Sequence, residues 1–93
     1  MPLTNKRRRE LLAQSHRLSP AATINPGELS EAIIAHVRAS FATHPLVKIR
    51  VSSDKTTEAD AVAAELVHRV PCELVRRIGH VVLLYRPAAN EKD

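Results

Sequence analysis

The 93-residue chain contains two aromatic residues, Phe41 and Tyr85. Modules that read single-stranded nucleic acid stack bases on two or three aromatic side chains. Tyr85 alone cannot make such a platform, so any nucleic-acid binding must work mainly through phosphates and shape. Cysteine is confined to Cys72, which excludes an intramolecular disulfide and a cysteine-based zinc pattern and fits a reduced compartment. Gly27 and Gly79 are the only glycines, too few for a glycine-rich loop that cradles phosphates. No apolar stretch approaches the length of a membrane span. The basic first residues lead into no apolar signal core. A cytoplasmic protein without a membrane partner is expected.

Catalytic groups are missing as well. His16, His36, His44, His68 and His80 fall on different segments and show no ligand spacing. Cys72 follows a proline at the start of a strand candidate, the position of a small core residue rather than a nucleophile. The acids gather on one helix candidate, where a solvated face explains them. No nucleophile, base and orienting acid stand in a recognisable arrangement. The expectation is a protein that is not an enzyme and needs neither metal nor cofactor.

What is present is uneven positive charge. The formal net charge is +4. Residues 1–20 carry Lys6, Arg7, Arg8, Arg9 and Arg17 against Glu10 alone, while residues 51–71 carry Lys55 and Arg69 against Asp54, Glu58, Asp60 and Glu65. One basic end and one acidic helix suggest a polyanion met by one side of the molecule.

The hydrophobic pattern is organised around Val81-Val82-Leu83-Leu84-Tyr85, apolar at every position. A half-wet strand would alternate, so this run predicts a strand buried on both faces, with Gly79 turning into it and Pro87 closing it. Ahead of it, Thr4 or Asn5 can cap a helix over Asn5–Ser15, with Leu11, Leu12, Ser15 and Leu18 as a weak apolar stripe. The consecutive arginines 7, 8 and 9 span most of one turn and are expected to fan outward. Ala21 to Ile24 is a short strand candidate. Asn25-Pro26-Gly27-Glu28 is a turn or a capped helix start, with Ser30 as the competing cap. Leu29, Ile33, Val37 and Phe41 recur every four residues and define an amphipathic helix that stops before His44-Pro45. Leu46 to Val51 alternates, with Val47, Ile49 and Val51 on one side and Lys48 and Arg50 on the other. Ser52 and Ser53 are expected to cap the next helix, whose stripe is Ala59, Val62, Ala63, Leu66, Val67 and Val70. Glu65 and Arg69 sit four apart on its wet side. Cys72 to Ile78 is a third strand, and Gly79-His80 turns it into the fourth.

The resulting order is αβαβαββ. The fold class is α/β (α+β), a mixed four-stranded sheet with packed helices. Strand–helix–strand units should join parallel strands, and the final hairpin must be antiparallel. Residues 1–87 form one domain, and residues 88–93 a loose polar tail.

Several segments together resemble a known family. They are Leu3-Thr4-Asn5-Lys6, His16-Arg17-Leu18-Ser19-Pro20, Leu29-Ser30-Glu31, Leu46-Val47-Lys48-Ile49 and the closing Ile78-Gly79-His80-Val81-Val82-Leu83-Leu84-Tyr85-Arg86-Pro87. In register, they look like a stand-alone bacterial CRM domain, the YhbY-like group of the chloroplast RNA splicing and ribosome maturation family. The resemblance implies a fold like the C-terminal domain of translation initiation factor three, and RNA binding. For bacterial members it implies association with large ribosomal subunit precursors, and for plant relatives a role in group II intron splicing. The chain departs from the family at its Gly-x-x-Gly loop. Those glycines fall on Asn25 and Glu28, a further family glycine falls on Ala32, and the family's lysine after the hairpin glycine is His80.

The expected partner is therefore structured RNA, ribosomal RNA or a pre-ribosomal large subunit, bound by a monomer. The expected contacts are Lys6, Arg7, Arg8, Arg9, Arg17, Pro26, Gly27, Lys48, Arg50, Arg76, Arg77, His80 and Arg86. The alternative is a protein-interaction module with the same fold and little RNA affinity, which Glu28 and the acidic third helix favour. A tight turn at Gly27 ringed by basic groups would support RNA binding; a capped helix start without that ring would support the alternative.

Overall fold

The computed structural model describes residues 3–86. Its elements are α1 (Asn5–Ser15), β1 (Ala22–Ile24), α2 (Glu31–Thr43), β2 (Leu46–Val51), α3 (Thr56–Arg69), β3 (Glu73–Ile78) and β4 (Val81–Tyr85). This is the order the hydrophobic pattern predicts. Pro87 and residues 88–93, expected to close β4 and to form a tail, lie outside the described residues.

Local chemistry sets the boundaries. The Thr4 hydroxyl accepts from the Arg7 amide at 3.1 Å and starts α1. Ser30, not Asn25, caps α2 by accepting from the Ile33 amide at 3.2 Å. His44 is extended, as a residue before proline must be, and α2 ends there. The expected serine cap on α3 is absent. Ser53 spends its hydroxyl on the Lys55 amide at 3.0 Å, closing a local turn, and α3 begins behind Lys55 with no side-chain cap.

The four strands form one sheet in the order β1-β2-β4-β3. β1 runs parallel to β2, and β4 is antiparallel to both β2 and β3. The strands joined by α3, β2 and β3, are thus parallel as expected but not neighbours, because β4 inserts between them. β4 has a partner on each side and a core on each face.

Those two cores differ in size. On one face α2 and α3 close over Ile24, Val47, Ile49, Val51, Val82 and Leu84, supplying Ile34, Val37, Phe41, Ala59, Val62, Ala63 and Leu66. On the other face α1 alone supplies Leu11, which packs with Leu46, Val75, Leu83 and Tyr85, while Leu3, Leu12 and Leu18 lie at the margin. Alternation along β4 explains the division: Val82 and Leu84 point one way, Leu83 and Tyr85 the other.

Register also decides which loops share an end. The Ser52 amide donates to the Ile24 carbonyl at 2.8 Å and the Val51 amide to the His80 carbonyl at 2.7 Å. The turn after β1, the loop after β2 and the β3–β4 hairpin therefore meet at one end of the sheet. Leu46, Glu73 and Tyr85 are cross-strand partners at the opposite end.

Candidate functional site

The arginine run on α1 does not fan outward as a block. Arg8 turns back to the sheet, where its Nη1 donates to the carbonyls of Leu74 and Val75, each at 2.7 Å. The pairing of β3 with β4 shifts register between Leu74 and Arg76. A bulge of this kind leaves backbone groups outside the ladder, and a guanidinium is long and polar enough to satisfy them. Arg7 donates through Nη2 to the Tyr85 hydroxyl at 3.0 Å, lies 5.2 Å from the centre of that ring, and pairs with Glu10 at 3.6 Å. Tyr85 is buried, so its hydroxyl needs a partner. Lys6 and Arg9 stay exposed. The expectation of free charge therefore fails for Arg7 and Arg8, which tie α1 to the sheet.

Lys48 is likewise occupied. Its Nζ reaches the carbonyls of Ser15 and Leu18 at 3.4 and 3.3 Å, at the last residue of α1 and in the turn just past it, where carbonyls lack α-helical partners. Arg77 pairs with Asp60 of α3 and donates to the Gly79 carbonyl at 3.0 Å. Both side chains hold the fold together, a use that residue type and spacing do not reveal.

Beyond α1 the same sheet face lies open. Thr23 pairs with Arg50, Arg50 with Val81, and Val81 with Ile78, giving one row across all four strands. Arg76, opposite Leu83, stands in the next row on the same face. Thr23, Arg50, Arg76 and Ile78 are exposed, and Val81 is half-buried. Ile78, at 45% exposure, is the one large hydrophobic side chain so exposed among the described residues. Arg50 and Arg76 have no hydrogen bond or ion pair among the described residues. The turn from Ser15 to Leu18, which carries exposed His16 and Arg17, borders this row through its contact with Lys48. Thr23, Val81 and Ile78 were not among the expected site residues. Hairpin register could have placed Ile78 opposite Val81, but only the packing of α1 shows that both escape cover.

The turn after β1 is well formed. The Glu28 amide donates to the Asn25 carbonyl at 3.0 Å, and Gly27 has φ +83° behind Pro26, the arrangement of a type II turn. The Asn25 amide donates to the Glu28 carboxylate at 3.0 Å. No basic side chain bonds to this turn among the described residues. The tight turn is there, but the ring of basic groups expected with it for RNA binding is not seen in its bonds; the helix start downstream is capped by Ser30. His80 sits at the same end of the sheet, with Nδ1 buried and without a hydrogen-bond partner among the described residues. Arg86 is exposed at the opposite end, where its amide donates to the Pro45 carbonyl at 2.8 Å.

The charges are sorted by side. On the α2–α3 side, Arg69 bonds Glu31 at 2.8 Å and Glu65 at 2.9 Å, which raises its pKa, and Arg77 bonds Asp60, while exposed Arg38 reaches the Arg69 carbonyl at 3.2 Å. On the α1 side, Lys6, Arg9, Arg17, Arg50 and Arg76 are exposed and have no acid partner among the described residues. Such an arrangement presents a positive surface to a polyanion from one direction. Half-buried Cys72 is no rival site: burial pushes its thiol up to about 11, so it is protonated and weakly nucleophilic at neutral pH.

Comparison with known proteins agrees with this architecture. A Haemophilus influenzae relative named an RNA-binding protein is 26% identical over 97% of this chain and 91% of its own length. A Bacillus subtilis protein named a probable RNA-binding protein is 27% identical over 98% of this chain and 95% of its own. One from Methanocaldococcus jannaschii, named in the same way, is 32% identical over 97% of this chain and 68% of its own. A solution structure from Staphylococcus aureus superposes with a TM-score of 0.82 at 26% identity, covering 98% of this chain and 95% of that one. The CRS1 / YhbY (CRM) domain matches residues 3–86, nearly the whole chain. The chain belongs to the CRS1/YhbY (CRM) domain family.

Proposed function

We propose that this protein binds structured RNA as a non-catalytic accessory factor, acting as a cytoplasmic monomer on ribosomal RNA during assembly of the large subunit. RNA binding is supported by family membership and by the relatives' names. The observation that carries the reading is the distribution of charge: exposed Lys6, Arg9, Arg17, Arg50 and Arg76, without an acid partner among the described residues, collect on the α1 side, while on the opposite side Arg69 and Arg77 are paired with acids. The ribosomal target is supported by the resemblance to bacterial CRM domains.

Crosslinking in cells followed by sequencing of the attached RNA tests the target. Enrichment of large-subunit ribosomal RNA is expected; background recovery only would overturn it. In vitro, replacing Lys6, Arg9 and Arg17 together by Gln removes charges whose side chains make no hydrogen bond or ion pair among the described residues. If all three touch phosphates of an unpaired strand, the slope of log affinity against log salt becomes shallower by about 2. An unchanged slope would remove α1 from the interface.

A second reading, a protein-interaction module, is favoured by Glu28, which keeps a carboxylate where the family has a glycine. Glu28→Gly removes that charge and is expected to tighten binding to ribosomal RNA fragments. Equal or weaker affinity would take this turn out of the RNA surface.

A further inference from the structure

The row Thr23–Arg50–Val81–Ile78 crosses the whole sheet, and Arg76 stands one row behind it. At ordinary strand spacing the row is about 14 Å long. A single exposed isoleucine is common on protein surfaces. Here Ile78 is in register with Val81; Arg50 stands beside Val81 in the row, and Arg76 stands next to Ile78 one row behind. No acid stands in the row. Glu73, on the same face, is at the far end opposite Tyr85, and Glu10 is engaged by Arg7.

We propose that this open row is a seat for an unpaired stretch of RNA, with Ile78 and Val81 against riboses or base faces and Arg50 and Arg76 on the phosphates to either side. The inference rests on the RNA-binding reading and adds where, and in what form, the RNA lies. Charge selects a polyanion. The apolar pair selects an unpaired strand, because a duplex hides its base faces in the stack and offers the aliphatic side chains little to cover. Without aromatic rings, the seat takes any sequence, and its contribution is a flat, unselective one.

Fluorescence anisotropy over a salt series, using a short unstructured RNA and a blunt RNA duplex of equal length, tests this. Arg50→Gln with Arg76→Gln is expected to weaken single-strand binding and make its salt slope shallower by about 1.4. Ile78→Ser is expected to lower single-strand affinity about three- to tenfold, from the loss of part of one buried aliphatic side chain. It leaves the salt slope and the duplex affinity unchanged. All three side chains are exposed, and thermal melts confirm that the variants fold. If these variants bind like the parent while Lys6→Gln with Arg9→Gln still weakens binding, the row is not the seat, although the protein binds RNA. If Ile78→Ser weakens duplex and single strand equally, the unpaired-strand assignment is overturned. If it turns a sedimenting dimer into a monomer with RNA affinity intact, the row belongs to a second copy of the chain. If the parent binds neither RNA, the functional reading falls first and takes this inference with it.

Discussion

Under α1, Arg7 and Arg8 are drawn inward, one to the Tyr85 hydroxyl and one to the carbonyls of the β3 bulge. A few residues along the same sheet face, Arg50 stands exposed beside Val81, and Arg76 beside Ile78 one row behind. Both halves combine arginine with aliphatic side chains. In the covered half the aliphatics make a core and the arginines satisfy backbone and phenol groups that the core would otherwise leave unpaired. In the open half nothing among the described residues lies above the aliphatics, and the arginines retain their charge for a partner. A basic residue thus marks a binding surface only when the fold has no use for it.

The larger core sets the scale for breaking the molecule. Leu66 is fully buried between α3 and the sheet. Leu66→Ala should cost about 2–5 kcal/mol in urea unfolding. Leu11→Ala should cost less, since one helix closes that side. An equal loss at Leu11 would show the α1 face to be as tightly packed as the other. Next comes Arg8. Arg8→Gln leaves two carbonyls without their charged donor and should cost about 1.5–3 kcal/mol, whereas neighbouring Arg9→Gln should stay within about 0.5 kcal/mol. Equal effects at the two positions would erase the distinction between anchor and free charge. Tyr85→Phe keeps the ring under Arg7 and removes the hydroxyl's bond to it, for about 0.5–1.5 kcal/mol. Hydrogen exchange on the first turn of α1 should rise with it, and unaltered exchange would mean that the ring alone holds the helix.

The smallest effect is a titration. The fold prefers the neutral Cys72 thiol, since desolvation raises its pKa from 9.0 to about 11. A group raised in the folded state contributes fully below its unfolded value, and that contribution is lost as pH climbs through the folded one. Stability should therefore be insensitive to Cys72 up to about pH 9 and decline toward about pH 11. Cys72→Ala should flatten that alkaline decline, and melts from pH 8 upward would show it.

Much of the fold was legible from residue order. The apolar run Val81–Tyr85 demanded cover on both faces, the four-residue spacing of Leu29, Ile33, Val37 and Phe41 demanded a helix, and alternation from Leu46 to Val51 assigned its two faces. These are local consequences of 3.6- and 2-residue periods, which a sequence carries in plain form. Resemblance added the family and the kind of ligand. What the chain could not disclose in one dimension was the destination of its long polar side chains. Lys48 reads as a wet strand residue until the end of α1 comes to rest above it, and Ser53 reads as a helix cap until its own turn claims the hydroxyl. Arg8 and Arg9 are adjacent and chemically identical, yet a turn of about 100° per residue aims one at a bulge and the other at solvent. Nor did any local pattern announce that β4 would insert between β2 and β3, which is what aligns Thr23, Arg50, Val81 and Ile78. Those outcomes depend on contacts between residues as far apart in sequence as Arg8 and Val75. Only the closed tertiary structure, by deciding which backbone groups need a donor, determines which positive charges are left over for a partner.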